Sequence, residues 1–250
     1  MKYAINSNAP EKILTDCLVI PVWEKSTLDD SAASVNTASG KALATIMGSG
    51  DVTGKAGDAL LVHGIAGVKA RRLLLVGCGP RKKFDARAYR KVVQASLKVL
   101  GGSSAASAHF LLSALPVTDR DHHWTVSRLV QEVAESQYQY DHTKSKKASA
   151  PALKSVSLSA AKGLPRKSLD QDIALGRAVG LGMNATKQLG NLPGNICTPS
   201  YLAAECIKLG TRYGKITTQV LSERQMQRLG MGSLLSVSAG SAQEATNPCR

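Results

Sequence analysis

Two short, uninterrupted apolar runs constrain the fold of this 250-residue chain more than any other feature. They are CLVIPVWE (17–24) and RRLLLVGCG (71–79). Strands that are apolar at almost every position bury both faces, which happens in sheets with helices on both sides. The two runs therefore predict central strands of a covered sheet.

Amphipathic helices separate these strands from the ones that follow. DARAYRKVVQASLKVL (85–100) and HWTVSRLVQEVAESQYQY (123–140) carry apolar residues at helical spacing. Strands that alternate with helices are typical of an α/β fold with a mixed or parallel sheet. We therefore expect an N-terminal α/β domain over 1–165, a mixed sheet flanked by helices. Its remaining strands are predicted over 57–65, 108–115 and 153–160.

A long connector helix is predicted over 166–190, with its capped start at Ser168. Gln171 follows three residues later, which is the spacing of a capping box. Glycine inside a helix destabilises it by about 1 kcal/mol relative to alanine. Three such glycines indicate that another backbone approaches this helix closely. They are Gly176, Gly180 and Gly182.

The segment 191–250 predicts the beginning of a second α/β domain. Thr198 suits a helix N-cap and Pro199 its first position, while Ser222 and Gln225 have capping-box spacing. We expect strands over 215–222 and 233–240 and short helices between them. So few elements bury too little apolar surface to close a core by themselves.

The formal net charge of +14 indicates affinity for polyanions. Lysine and arginine concentrate in 69–98 and 142–167. Such runs suit DNA or phosphate, but they equally suit a solvated surface or a face that meets an acidic partner. The candidate nucleic-acid or phosphate contacts are Lys69, Arg71, Arg72, Arg81, Lys82, Lys83, Lys144, Lys146 and Lys147.

A search for catalytic or metal-binding motifs finds none in the sequence. HExxH, CxxC, GxSxG and Walker A patterns are absent, so we assign no catalytic or metal-binding residue. The turn VGCG, followed by Arg81, Lys82 and Lys83, is a candidate for holding a phosphate, but it equally fits a tight strand-to-helix turn without a ligand. Scattered cysteines and the lack of a bilayer-length apolar run predict a cytoplasmic protein without membrane partners.

The stretch NLPGNICTPSYLA (191–203) resembles the start of the catalytic domain in the leucyl aminopeptidase family. The similarity continues through LSERQMQRLGMGSLLSVSAGS (221–241), and it extends back to RRLLLVGCG and to EKILTDCLVIPVWE (11–24). Gly194 stands where the family usually has a second proline, and the ending EATNPCR (244–250) departs from the family pattern.

This resemblance implies an N-terminal domain similar to a macro domain, a connector helix and a C-terminal metallopeptidase domain. It further implies a homo-hexamer that hydrolyses peptides with two divalent metals, manganese or zinc, in the complete protein. The family's metal-ligand runs, Gly-Lys-Gly-x-Thr-Phe-Asp and Asn-Thr-Asp-Ala-Glu-Gly-Arg, are absent here. No metal is therefore expected in this chain.

Three functional hypotheses follow. The first is the leading half of a leucyl aminopeptidase, inactive by itself because it lacks the metal ligands. The second is a DNA-binding module, which the resemblance to the aminopeptidase A branch and the basic runs both favour. The third is an incomplete product with no independent role, whose exposed apolar surface would promote aggregation.

Overall fold

The computed structural model describes residues 1–25, 28–161 and 163–241, and the backbone of 247–249. The chain divides into two compact units, Met1–Asn184 and Ala185–Arg250. Each unit has its own sheet.

The described residues of the first unit form a six-stranded sheet in the order β1-β6-β5-β2-β4-β3. Strand β3 runs antiparallel to β4, while the other neighbouring strands are parallel. The sheet is therefore mixed, as the sequence predicted. The strands are β1 (Lys2–Ile5), β2 (Cys17–Trp23), β3 (Ala59–His63), β4 (Arg72–Gly79), β5 (Ser107–Phe110) and β6 (Ser155–Leu158).

Helices cover both faces of this sheet. Residues of α3 and α4 form one apolar core with the face that carries Val19 and Val76. Residues of α1 and α2 form a second core with the opposite face of β2 and β4, which carries Leu18 and Leu75. These elements are α1 (Asp30–Ala38), α2 (Ala42–Gly48), α3 (Ala86–Gly101) and α4 (His122–Ser136).

A predicted strand and a predicted helix in this unit extend too far at their C-terminal ends. The strand expected over 108–115 ends at Phe110, and Leu112–Ala114 forms a 3₁₀ turn. Ser113 lies in this turn, and its hydroxyl donates a hydrogen bond to the backbone oxygen of Ser159, just after β6. Leu112 and the flanking Leu111 and Leu115 are buried, so the apolar pattern continues beyond the strand itself. Helix α4 likewise ends at Ser136 rather than at 140.

The predicted capped start of the long helix is wrong by two residues. Helix α5 spans Arg166–Asn191, so Ser168 lies inside its first turn. The Ser168 hydroxyl donates to the carbonyl of Pro165 at 2.8 Å, and the Ser168 amide bonds to the same carbonyl. Since proline has no amide hydrogen and a fixed φ, Pro165 is well suited to the position just before the helix.

The second unit contains short elements whose caps agree with the sequence. Thr198 accepts a hydrogen bond from the Tyr201 amide, and Ser222 and Gln225 form the predicted capping box. The strand predicted over 233–240 is wrong, because 232–238 is helical. The elements are α6 (Pro199–Arg212), β7 (Gln219–Leu221), α7 (Glu223–Arg228), α8 (Gly232–Ser238) and β8 (Asn247–Cys249), with β7 antiparallel to β8.

The ending that departs from the family pattern is described only in part. Residues 244–246 and 250 lie outside the described residues, as does Lys162 of the second basic run. Among the described residues, no helix is both long enough and apolar enough to cross a bilayer.

Candidate functional site

The family-like stretch after α5 is a tight turn followed by a capped helix. The amides of Ile196 and Cys197 both donate to the carbonyl of Pro193 at 2.9 Å. Gly194 has no positive φ, and a Cβ there would meet no atom within 4 Å. Neither backbone strain nor crowding therefore requires the glycine that replaces the family's second proline.

This segment and its surroundings offer no donor set for a metal ion. No three His, Cys, Asp or Glu side chains come together anywhere in the described ranges. Cys197 and Cys206 are half-buried free thiols. A catalytic divalent metal needs three or more protein ligands. The described residues thus do not fit the two metals of the family, and we derive no catalytic step through a metal in this chain.

The basic run 69–98 divides into groups at opposite ends of β4. Arg71 and Arg72 lie at the start of the strand, whereas Arg81 follows its end at Gly79. A strand rises about 3.3 Å per residue, so an eight-residue strand separates its ends by roughly 25 Å. Residues adjacent in sequence therefore do not form one continuous cationic patch.

The two arginines at the start of β4 contact the segments that precede β2 and β5. Arg71 forms an ion pair with Asp16 at 3.5 Å. Arg72 donates to the Asp16 carbonyl at 3.4 Å and to the Ser104 hydroxyl at 2.9 Å. Burial opposes ionisation of Asp16, but hydrogen bonds from the Ala106 and Ser107 amides lower its pKa. These arginines stabilise a corner of the sheet.

The cations beyond the end of β4, Arg81, Lys82 and Lys83, are exposed. The Arg81 guanidinium lies 4.9 Å from the centre of the Trp23 ring. The amides of Gly77 and Gly79, which could have held a phosphate, donate to the carbonyls of Asp58 and Gly54 at 2.8 Å. An anion at this turn would therefore meet side chains rather than these two amides. Lys82 and Lys83 are exposed.

The other candidate cations lie elsewhere on the surface. Lys69 is exposed before β4, and its amide donates to the carbonyl of Glu11 at 2.9 Å. Lys144, Lys146 and Lys147 are exposed in the loop between α4 and β6. The nine proposed DNA or phosphate contacts thus belong to separate segments, and their role stays a prediction.

The sequence analysis did not single out His109, which contacts two serines of the first unit. His109 is fully buried, with Nδ1 2.8 Å from the Ser157 hydroxyl and Nε2 2.9 Å from the Ser159 hydroxyl. Burial lowers the pKa of His109 to about 4, so the ring is neutral at pH 7. A neutral imidazole has one donor and one acceptor, which matches two hydroxyl partners.

Ser159 also lines a cleft of about 460 Å³ at the carboxyl ends of β1, β5 and β6. In open α/β sheets, ligands bind outside the carboxyl ends of the strands. Asn6, Asn8 and Arg166 contribute polar groups to the rim. Arg166 is already paired with Asp170 at 3.0 Å, so the cleft carries no free charge from this residue. No motif in the sequence predicts this cleft, because its lining residues come from segments that are far apart along the chain.

Comparison with known families and proteins identifies the family, which the geometry alone does not. Residues 19–147 match the model of the cytosol aminopeptidase family, N-terminal domain, and residues 184–248 match that of its catalytic domain. The probable cytosol aminopeptidase of Alkalilimnicola ehrlichii is 39% identical over 246 residues, 98% of this chain and 49% of that protein. The corresponding protein of Thioalkalivibrio sulfidiphilus is 37% identical over 98% of this chain and 50% of its own length.

Solved structures agree with the fold. A tomato leucine aminopeptidase mutant superposes with a TM-score of 0.79 at 21% identity, over 98% of this chain and 49% of that one. The bottromycin maturation enzyme BotP, in complex with Mn, gives a TM-score of 0.66 at 18% identity, over 92% and 43%. The chain spans about half the length of the curated relatives it matches. From the two family-model matches and these relatives, we conclude that the chain belongs to the cytosol aminopeptidase family.

Proposed function

We propose that this chain is the N-terminal portion of a metal-dependent aminopeptidase that releases N-terminal amino acids from peptides. The observation that supports this is the match of residues 184–248 to the family's catalytic domain, C-terminal to the six-stranded sheet of the first unit. Metal ions bound to the complete protein would supply an acidified water and polarisation of the scissile carbonyl. Which metal serves the complete protein, manganese or zinc, is part of the proposal.

The chain by itself is proposed to be inactive. Its described residues bring together no metal-binding set, and the family's ligand runs are missing from the sequence. The first unit then serves as a folded N-terminal domain, and residues 191–250, whose first helix is α6, are proposed to begin the catalytic domain. A homo-hexamer, peptide substrates and a cytoplasmic location belong to the proposal for the complete protein.

An activity assay tests this proposal with a chimera. The present chain is fused to the part of the Alkalilimnicola ehrlichii relative that it does not cover, and leucinamide hydrolysis is measured with added Mn²⁺ or Zn²⁺. We expect turnover by the chimera and none by the 250-residue chain, because the family resemblance implies that the ligand runs lie in the part that the relative contributes. Chelation by EDTA is the control, and it should abolish turnover. Hydrolysis by the short chain, or an inert but folded chimera, would refute the proposal.

DNA binding is not proposed. The comparisons give it no support, and the candidate cations are divided among separate segments. Arg71 is already paired with Asp16, and Arg72 already donates a hydrogen bond to the Ser104 hydroxyl.

A further inference from the structure

We propose that the cleft beside Ser159 binds a small organic anion, a carboxylate attached to a short hydrocarbon chain. The cleft lies at the carboxyl ends of β1, β5 and β6 and has a volume of about 460 Å³. Pockets for small molecules have volumes of about 300–1,000 Å³, so a ligand of this kind fits. The site belongs to the first unit alone and is separate from the peptide hydrolysis proposed above.

The charge of the lining favours an anion. The described residues that line the cleft include one charged side chain, Arg166, and neither aspartate nor glutamate. An ammonium group or a metal ion would therefore meet no carboxylate in this lining. A carboxylate, in contrast, would meet a guanidinium and no like charge.

The loop after β1 offers hydrogen-bond donors to a ligand. Asn6 Oδ1 accepts a hydrogen bond from the Asn8 amide at 3.0 Å, which leaves Asn6 Nδ2 without a partner among the described residues. The side chains of Ser7 and Asn8 are exposed and likewise form no hydrogen bond within the described part of the chain. Amide and hydroxyl donors of this kind suit a ligand that supplies acceptor oxygens.

Arg166 can exchange its present partner for a ligand. Its Nε lies 3.0 Å from Asp170 Oδ1, and its Nη1 donates to the Ile5 carbonyl at 3.3 Å. Both side chains of the ion pair are more than half exposed, and exposed pairs contribute little to stability. A carboxylate in the cleft can therefore replace Asp170 beside the guanidinium, which binds carboxylates through two parallel hydrogen bonds.

Ser159 gives the cleft a fixed polar group. Its amide donates to the Phe110 carbonyl at 3.1 Å, and its carbonyl accepts a hydrogen bond from the Ser113 hydroxyl. If the proton of the neutral His109 ring is on Nε2, this nitrogen donates to the Ser159 hydroxyl oxygen, and Ser157 donates to Nδ1. The Ser159 hydroxyl can then donate its own hydrogen to an anion in the cleft.

The apolar part of the lining accounts for the hydrocarbon chain of the ligand. Ile5, Leu164 and Leu169 line the cleft together with Pro10. Leu169 is buried in the core of the first unit, and Ile5 and Leu164 pack against that core. A carboxylate with a short hydrocarbon chain would satisfy the donors and also remove apolar surface from water, which favours binding.

An NMR titration of the isotope-labelled 250-residue chain tests the proposal. The probes are isovalerate, its uncharged analogue isovaleramide, and acetate, which lacks the hydrocarbon chain. We expect millimolar isovalerate to cause saturable shifts of the Asn6, Ser159 and Arg166 amide signals. Isovaleramide and acetate should each bind at least fivefold more weakly, because one lacks the charge and the other lacks the apolar group.

Three charge variants distinguish a ligand site from a structural contact. Arg166→Gln should weaken isovalerate binding at least fivefold, because it removes the charged group of the lining. Asp170→Asn should strengthen binding about threefold, because it removes the carboxylate that competes for Arg166. Lys167→Gln is the matched control, since Lys167 is the next residue, is exposed and does not line the cleft, and it should leave the affinity within twofold.

Four outcomes would overturn the proposal. They are no saturable shift at the cleft, equal binding of isovaleramide, equal weakening by Lys167→Gln, and weaker binding by Asp170→Asn. The last result would show that the ion pair shapes the cleft instead of competing with a ligand.

Discussion

At the scale of single residues, His109 shows how packing decides protonation. Its ring lies between two serine hydroxyls of β6 and the chain turn that follows, and it is fully buried. Because burial lowers the pKa of His109 to about 4, the unfolded chain binds a proton more readily than the folded chain between pH 4 and pH 6.5. Its contribution to stability is therefore greatest above pH 6.5 and is lost as the pH falls toward 4.

We expect this histidine to make the first unit less stable in acid. Between pH 7.5 and pH 5, protonation of the unfolded chain should lower the free energy of unfolding by about 2 kcal/mol. His109→Asn keeps a polar group beside the serines but cannot be protonated, so it should remove that part of the pH dependence. Urea unfolding of both proteins at the two pH values measures it. An unchanged pH dependence in the variant would show that other groups are responsible.

At the scale of elements, α5 packs closely against α4 through glycine. A Cβ on Gly176 would lie 2.1 Å from the Ser127 carbonyl oxygen, and one on Gly180 would lie 2.6 Å from the Ala134 Cβ. Asn184 and Asp172 add hydrogen bonds to the Ala134 carbonyl and to His123 on α4. The close approach predicted for the three glycines is confirmed at the first two. Around Gly182, a Cβ would meet nothing within 4 Å.

The three glycines form a matched series of variants. Gly176→Ala and Gly180→Ala should each lower the free energy of unfolding by about 1–3 kcal/mol, because α5 must move away from α4. Gly182→Ala should leave it unchanged or raise it by up to about 1 kcal/mol, because alanine is the better helix former. Thermal unfolding of the three variants measures the difference. Equal effects at all three positions would contradict the close helix contact.

The elements that the sequence predicted are those with a strong apolar pattern. The strands β2 and β4 and the helix α3 each carry one, and each is found within about two residues of its expected bounds. Helices α1 and α2 were missed because their buried residues are few, such as Ala32 and Val35 in α1. Helix α8 was mistaken for a strand because a short apolar run fits either period.

At the scale of the whole molecule, the sequence was sufficient to recognise the family but not to locate a site. The turn at Pro193 and the caps at Thr198 and Ser222 are local, so the sequence shows them directly. The cleft beside Ser159 joins loops that are far apart in sequence, and no spacing reveals it. The cations of the basic run 69–98 are divided by strand β4, so residues that are close in sequence lie at opposite ends of the strand.

The position of helix α5 affects where a protease can separate the two compact units. The boundary between the two compact units, after Asn184, lies within this single helix of Arg166–Asn191. Proteases cut exposed, irregular chain more readily than helices. Brief digestion with trypsin should therefore cut first after the exposed Lys144, Lys146 or Lys147, before Lys187 within α5, as mass spectrometry of the fragments would show. A map of protease cuts would then place the domain border inside the first unit, well upstream of the border that packing defines.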